Sequence, residues 1–270
     1  MTTLVPISDP DDERIAPYRS VRERDLVGRG GYAMAEGTVV LASLLRSPSF
    51  RAVSLLILRN RLEGVIDLLQ AVPATVPVYV VERDIMDRVV GFPIHRGVLA
   101  LAERTGSSTP VQLLSQARTA LVGIGIANHD NSGALLRNAA AFGVDAVVFD
   151  ERSVDPLYRK SIRVSAGAAF TVEHSRSGSA DELLDAIEAA GMTAVALSPK
   201  GRADIRDAAT LERPALIVGA EGPGLSATIL ERCSTARIPM TAGHDSLNVA
   251  TSAAIALYAI SQRSLRADVR

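Results

Sequence analysis

The sequence predicts an α/β protein in two parts, a parallel sheet covered on both faces in the C-terminal half and a smaller α/β layer before it. Three observations carry that expectation. Runs at residues 120–126, 146–149, 193–197 and 215–218 are apolar apart from Thr193, with no alternation, as strands buried on both faces are. Segments with helical spacing separate them, and that alternation is the pattern of βα units. Arg104-Thr105-Gly106-Ser107-Ser108-Thr109-Pro110 interrupts the periodic segments with turn- and linker-forming residues. With 270 residues, 47% of them hydrophobic, the chain can fill one large core or two modest ones.

In chain order, residues 1–28 carry Pro6, Pro10 and Pro17 among many charges and read as an arm ending in a short helix near 21–26. Gly30-Gly31 breaks the chain. Residues 39–45 read as a helix stopped by Ser47-Pro48, and 53–58 as a strand. Apolar positions 62, 65, 66, 68 and 69 have helical spacing. Residues 76–81 and 98–102 read as strands, with a short helix at 84–90 between them. The first domain is therefore placed at 29–104 and the linker at 105–114. In the second domain, 115–270, the strand at 120–126 leads to a helix at 133–142. The strand at 146–149 is followed by one or two helical turns in 155–168 and a short strand at 170–172. A helix at 181–190, strands at 193–197, 215–218 and 236–238, and a final helix at 249–261 complete it.

Charge is nearly balanced, with formal net −1, against the basic footprint usual in nucleic-acid binders. The local distribution is less even. From 29 to 61 the cations are Arg29, Arg46, Arg51, Arg59 and Arg61, and the only acid is Glu36. Arg159, Lys160 and Arg163 form a second cluster. Arginine suits bidentate phosphate contacts. Tryptophan is absent and aromatics make up 4% of the chain, which argues against a base-stacking platform. Cys233 is the sole cysteine, so no intrachain disulfide is possible, and a reducing, cytoplasmic setting is expected. No apolar run reaches the ~20 residues of a membrane span, and no Cys/His cluster has metal-ligand spacing. Neither a membrane nor a metal is expected.

Three segments carry candidate chemistry. In Asn128-His129-Asp130-Asn131-Ser132-Gly133-Ala134-Leu135-Leu136-Arg137, Asn131 reads either as a helix N-cap or as an amide turned to the carboxyl end of the sheet. Arg137 stands among Leu and Ala, where a guanidinium must pair or reach out to solvent. In Gly219-Ala220-Glu221-Gly222-Pro223-Gly224-Leu225-Ser226, the glycines let backbone approach a ligand closely, and Glu221 is either solvated or part of a site. In Ile238-Pro239-Met240-Thr241-Ala242-Gly243-His244-Asp245-Ser246-Leu247-Asn248-Val249, Ser246 or Asn248 caps the final helix.

In this order, the three segments resemble the signature motifs of the SpoU (TrmH-type) RNA 2′-O-ribose methyltransferases, in the SPOUT superfamily. The resemblance is strong over the last 150 or so residues and weaker over the first third. There it extends to His95-Arg96-Gly97-Val98 and to a substrate domain similar to certain ribosomal RNA-binding proteins. It implies a trefoil knot, with the C-terminal part threaded through an earlier loop so that 219–226 and 238–248 lie side by side. It also implies catalytic roles for Asn131, Arg137, Glu221, Ser246 and Asn248, with Glu221 as the charge partner of Arg137. The implied cofactor is S-adenosyl-L-methionine, held by Ser198, Gly201, Gly219, Ile238, Met240 and Leu247. Structured RNA, ribosomal before transfer RNA, would meet Arg29, Arg46, Arg59, Arg61, Arg96, Lys160 and Arg163. The implied assembly is a homodimer through the C-terminal domain.

Two other readings compete. Gly123-x-Gly125 with Asp150 at the end of the next strand outlines a dinucleotide-binding site, although Asn128 stands where its third glycine belongs. The second is an RNA-binding or ribosome-assembly module of the same fold without catalysis. Loss of the motif residues would favour it, and none is lost.

Overall fold

The computed structural model describes residues 3–19, 31–91, 94, 96–241 and 246–267, with side chains to 262. The helix expected at 21–26, Arg29, His95 and His244 lie outside the described residues. The chain forms two compact units, Met1–Gly106 with Leu157–Thr171, and Ser107–Pro156 with Val172–Arg270. Residues 157–171 thus depart from the sequence reading, which placed them in the second domain.

The first unit is built on β1 (Leu4–Pro6), β2 (Tyr32–Glu36), β3 (Phe50–Leu58), β4 (Val78–Val81) and β5 (Val98–Arg104), with helices α1 (Thr38–Leu45), α2 (Ile66–Gln70) and α3 (Arg83–Val90). The sheet order is β1-β4-β3-β5-β2. β1, β4 and β3 run parallel, whereas β5 runs antiparallel to both β3 and β2. In this unit β1 and β2 escaped the sequence reading. β1 lies inside the expected arm and is fixed by its ladder to β4. Behind it, Ile15 and Tyr18 are fully buried. The Tyr18 hydroxyl meets Ser54 Oγ at 2.8 Å and accepts the Leu101 N–H at 3.3 Å, which ties the arm to the sheet.

The segment 157–171 enters this unit as α6 (Arg159–Val164) and a 3-10 turn at Ala168–Phe170. Phe170 packs edge-on to Phe50, with ring centroids 5.1 Å apart. Gly167 has φ +88°, and a Cβ there would stand 2.7 Å from the Ser43 side chain, so glycine permits the close approach to α1.

The second unit holds α4 (Pro110–Gln116), β6 (Ala120–Ile124), α5 (His129–Ala141), β7 (Ala146–Phe149), β8 (Glu173–Arg176), α7 (Ala180–Ala189), β9 (Thr193–Leu197), β10 (Ala203–Asp204), β11 (Pro214–Gly219), α8 (Ala227–Glu231), β12 (Ser234–Arg237) and α9 (Val249–Ala267). Its order is β10-β12-β9-β11-β6-β7-β8, parallel throughout. Val122, Val148 and Ile217 pack with Leu114, Leu183 and Ile187 of α4 and α7. Their strand neighbours Leu121, Val147 and Leu216 are equally buried, and α9 packs against β11 and α5. Both faces are therefore covered, as the continuous apolar runs required.

The expected linker is shorter than predicted, because Thr109 caps α4 through a reciprocal bond with Gln112 and Pro110 opens the helix. Arg213, just before β11, donates to carbonyls of Leu114, Ser115, Ala117 and Ala190, closing the C-terminal ends of α4 and α7.

Removing residues 1–106 should leave 157–171 without its packing partners. Ile162 and Phe170, each about 1% exposed, would face water and forfeit roughly 1.5–3 kcal/mol apiece. The expected result is a protein that binds a hydrophobic dye and aggregates. A soluble, cooperatively melting 107–270 fragment would contradict this assignment.

Candidate active site

Adjacent strands β12, β9, β11 and β6 run parallel, so their carboxyl ends open on one edge, where open α/β sheets bind ligands. The chain leaving β9, β11 and β12, together with the start of α9, encloses a cleft of about 1160 Å³. Ser198, Gly219, Ile238, Met240 and Leu247 line it, along with Glu221, Ser246 and Asn248. Gly201 does not. A Cβ there would fall 2.2 Å from the Ala236 carbonyl carbon, so this glycine lets the chain after β9 lie against β12. Gly201 therefore supports the wall rather than forming it. Gly219 has a comparable constraint, since a Cβ would stand 2.7 Å from the Gly224 backbone. The loop 220–224 closes on itself through the Gly224 N–H to the Ala220 carbonyl at 3.1 Å.

Asn248 joins the motifs. Its Oδ1 accepts the Ala250 and Thr251 N–H groups at 2.9 and 3.2 Å, capping α9. That fixes its Nδ2, which donates to Asn131 Oδ1 at 3.0 Å and Glu221 Oε1 at 2.6 Å. Asn131 is buried and Glu221 exposed. Because Asn131 gives its oxygen to Asn248, its own Nδ2 remains a donor. The simple capping reading of Asn131 does not hold: α5 begins at His129, and its cap is Asn128, whose Oδ1 accepts the Asp130 N–H at 2.8 Å.

Arg137 is exposed on α5. It lies six residues past Asn131, about 240° further round the helix, and so faces away from the cluster. The expected ion pair with Glu221 is not formed among the described residues, and Glu221 bonds Asn248 instead. Val218, Leu225 and Arg237, which the motifs do not single out, also line the cleft, as does Lys200 beside Ser198. Their shared signal is position, at or just beyond the carboxyl end of a parallel strand.

Asp150 is completely buried and cannot reach a ribose, which removes the dinucleotide reading. Among the described residues no group of three or more His, Cys, Asp or Glu could hold a metal ion, and no helix is long and apolar enough to cross a membrane. Burial pushes the Cys233 thiol up, away from thiolate chemistry.

The expected RNA contacts fall in the first unit. Arg59 and Arg61 follow β3 and Arg96 precedes β5, all at one end of the sheet, whereas Arg46 ends α1 on the way to the opposite end. Arg96 donates to the Glu36 carbonyl at 3.4 Å. Lys160 is half-buried and Arg163 exposed on α6. The basic stretch is less basic in space than in sequence. Glu82 pairs with Arg59, Glu103 with Arg51 at 2.5 Å, and Glu36 with Arg159 at 3.8 Å.

The sequence profile of the SpoU rRNA Methylase family matches residues 118–258, which span the cleft and the Asn131–Asn248–Glu221 cluster. The chain belongs to this family. An uncharacterized tRNA/rRNA methyltransferase of Mycobacterium bovis is 41% identical over 261 residues, 93% of this SpoU protein and 90% of the relative. A crystal structure of an RNA 2′-O ribose methyltransferase superposes with a TM-score of 0.76 at 28% identity, covering 97% of this chain and 100% of that one. The AdoMet-bound rRNA methyltransferase of Sinorhizobium meliloti shares the fold, with a TM-score of 0.77 at 22% identity over 97% and 98% of the two chains.

Replacing Asn248 separates its two roles. Asn248→Ala should cost about 1 kcal/mol through loss of the α9 cap. Asn248→Ser keeps a capping oxygen but is too short to hold Glu221, and should stay within ~0.5 kcal/mol of wild type. Urea midpoints test both, and an alanine variant as stable as wild type would refute the cap.

Proposed function

We propose that this SpoU protein transfers a methyl group from S-adenosylmethionine to a ribose 2′-hydroxyl of structured RNA, ribosomal RNA before transfer RNA. The observation that carries the proposal is the bridge from Asn248 to Asn131 and Glu221 at the rim of the cleft. Resemblance to the 2′-O ribose enzyme supports the hydroxyl as acceptor. The additional N-terminal unit supports ribosomal RNA.

The cleft suits the cofactor. Val218, Leu225, Ile238 and Leu247 offer apolar surface to a flat heterocycle, while Ser198, Ser246 and the Glu221 carboxylate offer polar and anionic partners to its charged half. Gly219, Ile238 and Leu247 would hold the base through backbone groups. When bound, the cofactor supplies an electrophilic methyl on a sulfonium, passed to oxygen in one in-line displacement. Asn131 fixes the Asn248 amide, which holds Glu221 at the rim. Arg137 stabilises negative charge on the ribose oxygen and its phosphate. It is not itself the base, because guanidinium stays protonated up to pH ~12. The phosphate or another group takes the proton.

Arg137 faces away from its own cluster, so we assign it to a second copy. Ile255 and Tyr258 of α9 are 38% and 56% exposed, and Tyr258 meets Phe142 at the end of α5, ring centroids 6.2 Å apart. A homodimer closing on α5 and α9 would cover these groups and bring Arg137 toward the partner's cleft. The loops at 219–225 and 238–240 line one cleft, as the proposed threaded, knotted arrangement requires.

Arg137→Ala should lose about a hundredfold in methyl transfer and still bind S-adenosylmethionine. The assay is tritiated methyl transfer to RNA from the host strain lacking this gene. Turnover within threefold of wild type, ~0.7 kcal/mol, would refute the role. Mapping the methylated sites missing from that strain decides between ribosomal and transfer RNA.

Sedimentation at micromolar concentration should give a dimer that Tyr258→Asp weakens. A 28.5 kDa monomer that still methylates RNA would refute both the dimer and the shared site.

A further inference from the structure

We infer that Asp150 and Ser153 form a clamp that positions Asn131, and through it Asn248 and Glu221. The inference rests on the proposed reading of that cluster. Asp150 is fully buried, so it acts on the site only through other groups. Its bonds all run through one oxygen. Oδ1 accepts the Gly125 N–H at 2.9 Å, the Ser153 N–H at 3.0 Å and the Ser153 hydroxyl at 2.5 Å. The Ser153 Oγ in turn accepts the Ile126 N–H at 2.9 Å. Two backbone bonds flank this knot, Asp150 N–H to the Gly123 carbonyl at 3.1 Å and Val154 N–H to the Ile126 carbonyl at 2.8 Å.

The held segment is the exit of β6. Gly125 turns there with φ +67° and Ile126 is buried. Buried N–H groups at such a turn need partners, and one carboxylate and one hydroxyl supply them. Two residues further on, Asn128 caps α5, and Asn131 lies in the first turn. The turn at 125–128 is the direct covalent link between β6 and α5, so its geometry sets where Asn131 meets Asn248. An oxygen that accepts from a hydroxyl polarises it and strengthens that hydroxyl's hold on its own amide donor, which couples the two halves of the clamp.

The test is a double-mutant cycle in kcat, measured well below the melting temperature. Ser153→Ala should lower kcat at least tenfold, with S-adenosylmethionine affinity within twofold of wild type. In an Asn131→Ala background the same substitution should have little further effect, because the clamp acts through Asn131. Asp150→Ala should behave like Ser153→Ala. Asp150→Asn, which keeps an acceptor at the bonded position and puts its NH2 where Oδ2 has no partner among the described residues, should recover most of the loss. If one variant does not fold, the other carries the test. Additive losses in the cycle, or wild-type kcat in Ser153→Ala while Asn131→Ala is inactive, would overturn the clamp and leave the proposed function standing. Wild-type turnover in Asn131→Ala would overturn both.

Discussion

The site depends on the direction of one side-chain amide. Asn248 could present either face of its carboxamide to its neighbours, but the first turn of α9 decides. Two backbone N–H groups at 2.9 and 3.2 Å claim the oxygen, so the NH2 must point away, where Asn131 and Glu221 both offer acceptors. A requirement of helix termination thus becomes a requirement of the site. The three segments lie far apart in sequence, and a single residue sets the relative positions of the chain leaving β6, the loop after β11 and the start of α9. The glycines serve the same geometry. Without Gly219 the loop bearing Glu221 could not fold back on Gly224.

The strands of the second unit could be read from sequence because coverage on both faces removes polar residues from both sides of each strand. The failures have equally local causes. β2, Tyr-Ala-Met-Ala-Glu, is rich in residues that favour helices and becomes a strand through its antiparallel ladder with β5. β1 is three residues long and takes its identity from β4. Thr109 and Pro110 punctuate the chain as linker residues do, but here they start α4. Periodicity identifies α6 as helical without naming the surface that covers it, so the placement of 157–171 was not legible.

The segments that line the cleft were legible as motifs, and the connections between their residues were not. Charge complementarity suggested an Arg137–Glu221 pair, whereas helix geometry turns Arg137 away and an amide meets the carboxylate. The acids that pair with the basic stretch from 29 to 61 were not legible either. Sequence neighbours in a strand are not its partners across the sheet, and Glu103 reaches Arg51 from the adjacent strand β5 while Glu82 reaches Arg59 from the end of β4.

The separation of Arg137 from Glu221 has a chemical consequence. An ion pair inside one chain would have satisfied both charges before any ligand arrived, and a ligand would then have had to break it. Bonded to a neutral amide rather than a cation, Glu221 stands exposed beside the cleft, suited to a cationic or hydroxyl-bearing ligand. Arg137, exposed on α5, keeps its positive charge for an anionic one. The proposed transfer, which moves a methyl from a sulfonium to an oxygen flanked by phosphate and leaves a neutral thioether, needs both charges in one place only while its substrates are bound. In the proposed dimer a second chain would supply the cation and meet that condition, since Arg137 and Glu221 of one chain do not pair.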